Sequence, residues 1–259
     1  MIILKSASDI SFMKQSGAIL RDTLLAVEEK IKPGVSTKQL DVFVNEYITK
    51  RNAIPSELGY YGYPASICAS IDEVVVHGIP SANQILKEGQ IISIDVCVLY
   101  KGWQTDAART FLVGEVSPEK AKLVEDTRKS FFEGVKQFKE GNRLGDISHA
   151  IQVYNESRGY GVIRSMVGHG IGRDMHEDPA VPNYGRRGNG IMLKNGLCIA
   201  IEPMITAGSA RIRGLNDGWT VVTKDKKDAA HFEHTIVITE EGYEILTTEH
   251  LEGGANVKE

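Results

Sequence analysis

Apolar residues in the first part of the chain recur at helical spacing. Residues 9–30 predict a helix, because apolar or small residues follow one another every three or four positions along it and just beyond its end, namely Met13, Gly17, Leu20, Leu24, Val27 and Ile31. Lys32-Pro33-Gly34 ends this predicted helix, and residues 37–51 predict a second one. His77-Gly78-Ile79 follows, and residues 89–95 then open a predicted strand that ends in an aspartate.

The second half of the chain repeats this order of elements. Ser117-Pro118 is a favourable helix start, Lys139-Glu140-Gly141 ends that helix, and residues 144–158 predict another. His169-Gly170-Ile171 then precedes a predicted strand at residues 196–202, which ends in a glutamate. The shared order predicts a duplicated α+β unit whose sheets meet at a pseudo-twofold axis. A site at that junction would take residues from both halves.

Two pairs of acidic residues occupy matching places in the predicted halves. Asp95 and Asp106 lie on a predicted hairpin, and Glu202 and Glu233 lie in strands of the second half. One such acid alone is more simply explained as a solvated strand residue. Four carboxylates at one junction, however, repel one another unless cations neutralise them. With the imidazole of His169, which glycines flank, they make a suitable ligand set for two divalent metal ions.

Two further histidines are candidates for chemistry. A single histidine is more often a hydrogen-bonded structural residue than a catalyst. His77 matches His169 in the repeat, so we expect it near the same axis, and both His77 and His176 fit proton donors or transition-state stabilisers. The remaining histidines receive no role at this stage: His149, His231, His234 and His250.

The chain closely resembles the type I methionine aminopeptidases in their short bacterial form, from the first helix to about Leu246. The motifs that carry the resemblance are Val76-His77-Gly78-Ile79-Pro80, Ile94-Asp95-Val96, Asp106, Gly168-His169-Gly170-Ile171-Gly172, His176-Glu177, Ile201-Glu202-Pro203-Met204 and Glu233-His234-Thr235. The resemblance implies the α+β pita-bread fold: two pseudo-symmetric halves with antiparallel sheet and helices on the outer face. We expect one catalytic domain over residues 1–259, with halves of roughly 1–114 and 115–249.

The resemblance also implies a reaction and a set of roles. The reaction is removal of the initiator methionine from new proteins whose second residue is small, by a water that bridges two divalent metal ions. The implied ligands are Asp95, Asp106, His169, Glu202 and Glu233, with Asp106 and Glu233 bridging the ions. Glu202 would also act as the base, His176 would stabilise the oxyanion, and His77 would contact the scissile amide nitrogen. The metal could be Co, Mn, Fe(II), Ni or Zn.

By the same resemblance, a methionine pocket is implied, lined by Tyr60, Tyr63, Cys68, Met175 and Trp219 together with His77 and His176. Without the resemblance, the tyrosines beside Pro64 would be interpreted as loop packing. Three residues depart from the bacterial pattern. Met175 stands where an aromatic residue is common, Tyr61 where histidine is common, and Cys97 where threonine is common.

Composition narrows the expected partners. Thirty basic and 34 acidic residues give a net charge of −4, which provides no general attraction to nucleic acid or to anionic lipid. Three cysteines form no closed disulfide framework, and no apolar run is long enough for a membrane span, so we expect a cytoplasmic protein. The expected partner is the N-terminal peptide of nascent proteins; ribosome association is left open, and a monomer is expected.

Two other interpretations are considered. The first is another pita-bread hydrolase, such as a proline dipeptidase or aminopeptidase P, but these usually carry an extra N-terminal domain for which 259 residues leave no room. The second is a binding protein that keeps the fold and has lost catalysis. The complete ligand set and both histidines argue against it.

Overall fold

A computed structural model describes residues 1–248 of the chain. The four α-helices in this range are α1 (Ala7–Glu28), α2 (Thr37–Thr49), α3 (Pro118–Val135) and α4 (Leu144–Glu156), with a short 3₁₀ turn at Tyr60–Gly62. Ser6 caps α1 through a capping box with Asp9, so this helix begins two residues before the predicted start. The predicted end of the second half, residue 249, and His250 lie outside the described residues.

The strands are short except for one long hairpin. They are β1 (Ile54–Pro55), β2 (Cys68–Ile71), β3 (Val74–Val76), β4 (Gln90–Tyr100), β5 (Trp103–Val113), β6 (Gly161–Val162), β7 (Gly168–Gly170), β8 (Glu177–Val181), β9 (Cys198–Ile201), β10 (Met204–Thr206), β11 (Ile212–Gly214), β12 (Val221–Thr223), β13 (Ala229–His231), β14 (His234–Thr239) and β15 (Gly242–Ile245).

Two larger antiparallel sheets carry the candidate residues. In the first half, β4 pairs with β1, β2 and β5. In the second half, five strands lie in the order β15-β14-β9-β7-β8. The strands β13-β10-β6 and β11-β12-β3 form two smaller sheets, and the latter joins a strand of the first half to strands of the second.

Each larger sheet packs its apolar face against a pair of helices. One core cluster joins Leu20 and Leu24 of α1 and Val44 of α2 to Ile94 of β4 and its neighbours. A second cluster places α3 and α4 against β9 and β14; its fully buried residues include Phe131, Ile147, Ile151, Ile199 and Ile236. Burial of these side chains stabilises each layer, at roughly 1.5–3 kcal/mol per large aliphatic residue. The helices therefore lie on the outer side, and the opposite sheet faces turn inward.

The two sheets meet through backbone contacts between β5 and the start of β14. Ala108 and Glu233 exchange two backbone hydrogen bonds, with N–O distances of 3.3 and 2.8 Å. Beside them, the Thr235 hydroxyl accepts from the Asp106 amide at 2.9 Å and donates to the Asp106 carbonyl at 2.8 Å. This junction brings the acids of the two halves together. Among residues 1–248, no helix combines the length and apolar character needed to cross a membrane.

Candidate active site

The β4–β5 hairpin positions the first two acids. Lys101 and Gly102 both have positive φ, 50° and 78°, as a tight two-residue hairpin turn requires. In the resulting register Cys97 lies opposite Asp106, and Asp95 lies opposite Ala108. Because side chains alternate along a strand, the neighbours Ile94 and Val96 enter the core, while both acids face the junction.

The second pair of acids lies at adjacent ends of two paired strands. Glu202 directly follows β9, and Glu233 directly precedes β14. Because His234 pairs with Ile201, the two glutamates lie on neighbouring strands at the same level of the sheet. Asn183 donates a hydrogen bond of 2.8 Å to the Glu202 carbonyl, which fixes the backbone where the chain leaves β9.

His169 lies on β7 between two glycines that close packing requires. A Cβ atom on Gly168 would come within 2.4 Å of the Ala200 carbonyl oxygen, and one on Gly170 within 2.1 Å of the Asp178 carbonyl oxygen. The imidazole Nδ1 lies 2.9 Å from the Gly170 carbonyl oxygen. Since a carbonyl only accepts, Nδ1 carries a proton, and Nε2 is the ring nitrogen that faces the carboxylates. This Nε2 lies 3.6 Å from an Asp106 oxygen and 3.7 Å from a Glu202 oxygen.

His231, which received no role from the sequence, also belongs to this cluster. Its Nε2 lies 3.5 Å from a Glu233 oxygen and 3.9 Å from a Glu202 oxygen, and its side chain is buried. Thr110 holds the His231 backbone through bonds to both its N–H and its C=O. The signal in the sequence was the His231-Phe232-Glu233 spacing, because residues two apart on an extended chain share a face.

The cluster fits divalent cations. Asp95 Oδ1, Asp106 Oδ1, Glu233 Oε1 and His231 Nε2 are buried and have no hydrogen-bond partner among residues 1–248. Unpartnered buried oxygens are costly, and a cation satisfies them. Ligand atoms of Asp106, His169 and Glu233 lie within 4.8 Å of one another, and so do those of Asp95, His231 and Glu233. Carboxylate oxygens with imidazole nitrogen suit Mn, Fe, Co, Ni or Zn.

The electrostatics of the cluster favour positive charge. Burial raises the pKa of Asp95, Glu202 and Glu233 well above the usual range, and the Asp106 carboxylate raises each further. Burial alone would also raise the pKa of Asp106, but interaction with the His169 imidazole outweighs it and lowers this pKa. Three of the four acids therefore resist ionisation until a cation compensates their charge.

His176 and His77 lie beside the cluster. The His176 ring centre is 4.1 Å from that of His169, and its Nδ1 lies 2.7 Å from the Tyr60 hydroxyl. Partial desolvation, and then the neighbouring His169, lower the pKa of His176 to about 4, so the ring is neutral at pH 7. His77 has a φ of 58°, a strained backbone value for a residue other than glycine. Burial lowers the pKa of its imidazole.

An apolar pocket adjoins His77. The Tyr63 and Trp219 rings meet edge to face at 5.1 Å, Cys68 packs in the same cluster, and the His77 and Trp219 rings are 6.4 Å apart. Met175 is buried directly before His176. Tyr61, one of the departures from the bacterial pattern, is 86% exposed and so contributes no wall to this pocket.

Glu57 is a second residue that the sequence analysis did not single out. Its side chain is buried, and the Cys68 thiol donates to its Oε2 at 3.5 Å. Ligand-type atoms of Glu57, Cys68 and Asp95 lie within 4.8 Å of one another. Burial, followed by the charges of Asp95 and Asp106, raises the pKa of Glu57 well above its usual range. Nothing in the local sequence distinguished this glutamate from a surface residue.

Comparison with known proteins identifies the family. Residues 11–240 match the sequence profile of metallopeptidase family M24. The chain belongs to this family. It is 54% identical over 247 residues to a methionine aminopeptidase of Clostridium acetobutylicum, covering 95% of this chain and 99% of the relative. The crystal structure of a methionine aminopeptidase from Thermotoga maritima superposes with a TM-score of 0.94 at 46% identity, covering 96% of this chain and all of that one. The resemblance and the pita-bread fold predicted from the sequence are thereby confirmed.

A prolidase from Pyrococcus furiosus shares the fold. It superposes with a TM-score of 0.73 at 22% identity, and the match covers 95% of this chain but 66% of the prolidase. At this identity the likeness concerns the fold alone. The interpretation of the chain as a proline-specific hydrolase therefore has weaker support than the interpretation from its methionine aminopeptidase relatives.

Proposed function

We propose that this metallopeptidase removes the N-terminal methionine from new proteins whose second residue is small. The observation that carries the proposal is the junction itself, where four carboxylates and His169 from the two halves converge beside His77, His176 and the Tyr63–Trp219 pocket. The 54% identical relative named methionine aminopeptidase supports the substrate.

We assign the metal ligands as Asp95, Asp106, His169, Glu202 and Glu233, holding two divalent ions. Glu233 supports the count of two, because it belongs to both groups of ligand atoms, one with Asp106 and His169 and the other with Asp95 and His231. When bound, such ions supply Lewis acidity, which lowers the pKa of a water and polarises the scissile carbonyl. Availability in the cell selects among Co, Mn, Fe(II), Ni and Zn.

The protein groups then supply proton transfer and charge stabilisation. Glu202 takes a proton from the attacking water and passes it to the leaving amine nitrogen. We assign the neutral His176 ring the tautomer in which Nδ1 accepts from the Tyr60 hydroxyl, so that Nε2 carries the proton and donates to the oxyanion of the tetrahedral intermediate. His77, whose ring lies 6.4 Å from that of Trp219, contacts the scissile amide nitrogen.

Specificity comes from the pocket of Tyr60, Tyr63, Cys68, Met175 and Trp219. Its aromatic and sulfur-bearing side chains suit an unbranched thioether, which packs well against ring edges. The substrate's free amino group reaches the acidic cluster, so a blocked terminus is a poor substrate.

The wider setting belongs to the same proposal. We take the partner to be the N-terminal peptide of a nascent protein and the location to be the cytoplasm, with a monomeric enzyme. We also propose one catalytic domain built from halves at roughly 1–114 and 115–249. The contacts between Ala108 and Glu233 support this division, because each larger sheet needs the other to complete the site.

The decisive experiment measures free methionine released from Met-Ala-Ser by the purified protein loaded in turn with each candidate metal, and again after chelation. We expect release that chelator abolishes and metal restores, and little release from the N-acetylated peptide. No release with any metal would contradict the proposal. Preferential cleavage of X-Pro peptides would assign the chain to the proline-specific branch of its family instead.

A further inference from the structure

A buried ion pair involves Glu177, the residue that follows His176. Lys5, in the segment before α1, places its ammonium 2.5 Å from Oε2 of Glu177, and the two side chains are 1% and 6% exposed. The ammonium also donates to the Ile3 carbonyl at 2.9 Å. Removing two charges from water is unfavourable, and hydrogen bonds to both partners are needed to offset that cost. Such a pair holds its surroundings in one arrangement, because removing either partner leaves a buried charge without a counter-ion.

Glu177 uses its second oxygen to shape the loop that carries His176. Oε1 accepts from the backbone N–H of Arg173 at 2.8 Å and of Asp174 at 3.3 Å. The carboxylate thus closes the turn that leads into His176 and binds Lys5 at the same time. The packing is tight, because a Cβ atom on Gly172 would come within 2.4 Å of the Lys5 Cε atom.

Lys5 is itself fixed to the sheet that carries the ligands. Its backbone N–H donates to the Gly196 carbonyl at 2.7 Å, and the Gly196 N–H donates to Ile238 of β14 at 2.9 Å. On the other side of the loop, Ile171 donates to the Cys198 carbonyl of β9 at 3.3 Å. The ion pair therefore connects the His176 loop to the two strands that border Glu202 and Glu233.

We propose that the Lys5–Glu177 pair is a positioning device that sets the His176 imidazole at the distance its role in catalysis requires. The inference rests on the proposed role of His176 as the donor to the oxyanion. Small displacements of such a donor lower the rate of catalysis strongly, by about 100-fold for a shift of about 1 Å. Because both side chains are buried, Lys5 and Glu177 act through the loop.

The test compares Lys5→Met with a matched control. Lys14→Met removes another lysine that pairs across to the second half, with Glu244 at 2.8 Å, but this pair is partly exposed, with side chains 48% and 27% accessible. For Lys5→Met we expect kcat on Met-Ala-Ser to fall by about 10- to 100-fold, with KM and metal content unchanged. Lys14→Met should stay within about twofold of the parent.

A double-mutant cycle separates positioning from simple stabilisation. If the pair acts through His176, adding Lys5→Met to His176→Ala should lower kcat by less than about twofold further. Multiplication of the two separate losses would overturn the proposal. If Lys5→Met does not fold, Glu177→Gln, which keeps the side-chain volume, takes its place in the same cycle.

Hydrogen exchange provides a measurement that does not depend on activity. In the variant, amides of residues 172–178 should exchange faster than in the parent and in Lys14→Met, and unchanged exchange would overturn the proposal. Failure of the proposed function can be told apart from failure of the positioning proposal, because in the first case the parent protein itself would release no methionine. If His176 has no part in catalysis, His176→Ala alone will leave kcat unchanged. This result would also overturn the proposal.

Discussion

The Thr235 hydroxyl connects the two halves at the point where Asp106 enters the site. In β5, the N–H and C=O of Asp106 turn away from β4 and both bond to this one hydroxyl, at 2.9 and 2.8 Å. Thr235 is completely buried. Thr235→Val keeps the shape of the side chain and removes both bonds, so it tests this link without opening a cavity.

The expected cost follows from the two groups left without partners. A buried N–H or C=O without a partner costs about 1–3 kcal/mol, so the substitution should lower the unfolding free energy by about 2–6 kcal/mol. It also frees the Asp106 backbone, and loss of such support typically weakens metal binding by about 10- to 100-fold. Thr223→Val is the matched control, because the buried Thr223 hydroxyl makes a single bond to the Lys227 carbonyl, at 2.8 Å, away from the cluster.

The assay is urea unfolding of the metal-free protein, followed by metal titration of the folded protein. Thr235→Val should lose more stability than Thr223→Val, and only Thr235→Val should bind metal more weakly. A loss below about 0.5 kcal/mol together with unchanged metal affinity would refute the reasoning that this hydroxyl holds Asp106 in place.

Three further results are expected. Asp106→Ala should abolish metal stoichiometry and activity together, as metal analysis and the Met-Ala-Ser assay would show; retention of either would remove Asp106 from the ligand set. His77→Ala should lower turnover with metal content near normal, whereas loss of metal would make His77 a ligand or its support. Because their pKa values are raised, Asp95, Glu202 and Glu233 stabilise the metal-free fold most at low pH and lose this contribution as pH rises through those values. Metal binding should therefore release protons, and fewer of them as pH rises, as calorimetry in buffers of different ionisation enthalpy would detect.

Much of the fold was predictable because its elements have strong local signals. The helical spacing from Met13 to Val27 and the stop at Lys32-Pro33-Gly34 agree with α1, and the alternation around Asp95 agrees with β4. The ends of the helices were predicted less accurately, because fraying and capping depend on tertiary contacts. Helices α2 and α4 each end two residues before the predicted position. The two smaller sheets carry no such pattern, since their strands are mostly two or three residues long.

The candidate site was predictable where one residue type was out of place for its element. Acids among β-branched residues identified Asp95 and Asp106, and the structure brings both to the cluster with the two glutamates. The sequence analysis missed His231 and Glu57 because contacts with residues distant in the sequence bring them to the cluster. His231 acquires its partners only when β13 meets Glu202, and Glu57 only when its loop folds against Cys68.

The link between Asp106 and Thr235 joins positions 129 residues apart in the sequence. Closing so long a loop costs entropy, which only the packing of the two finished halves repays. Until β14 has docked, the first half offers two aspartates and no imidazole from the second half. A partly synthesised chain therefore cannot assemble the cluster, which forms only when both halves are complete and paired. The cluster is thus a property of the whole folded chain and of neither half alone.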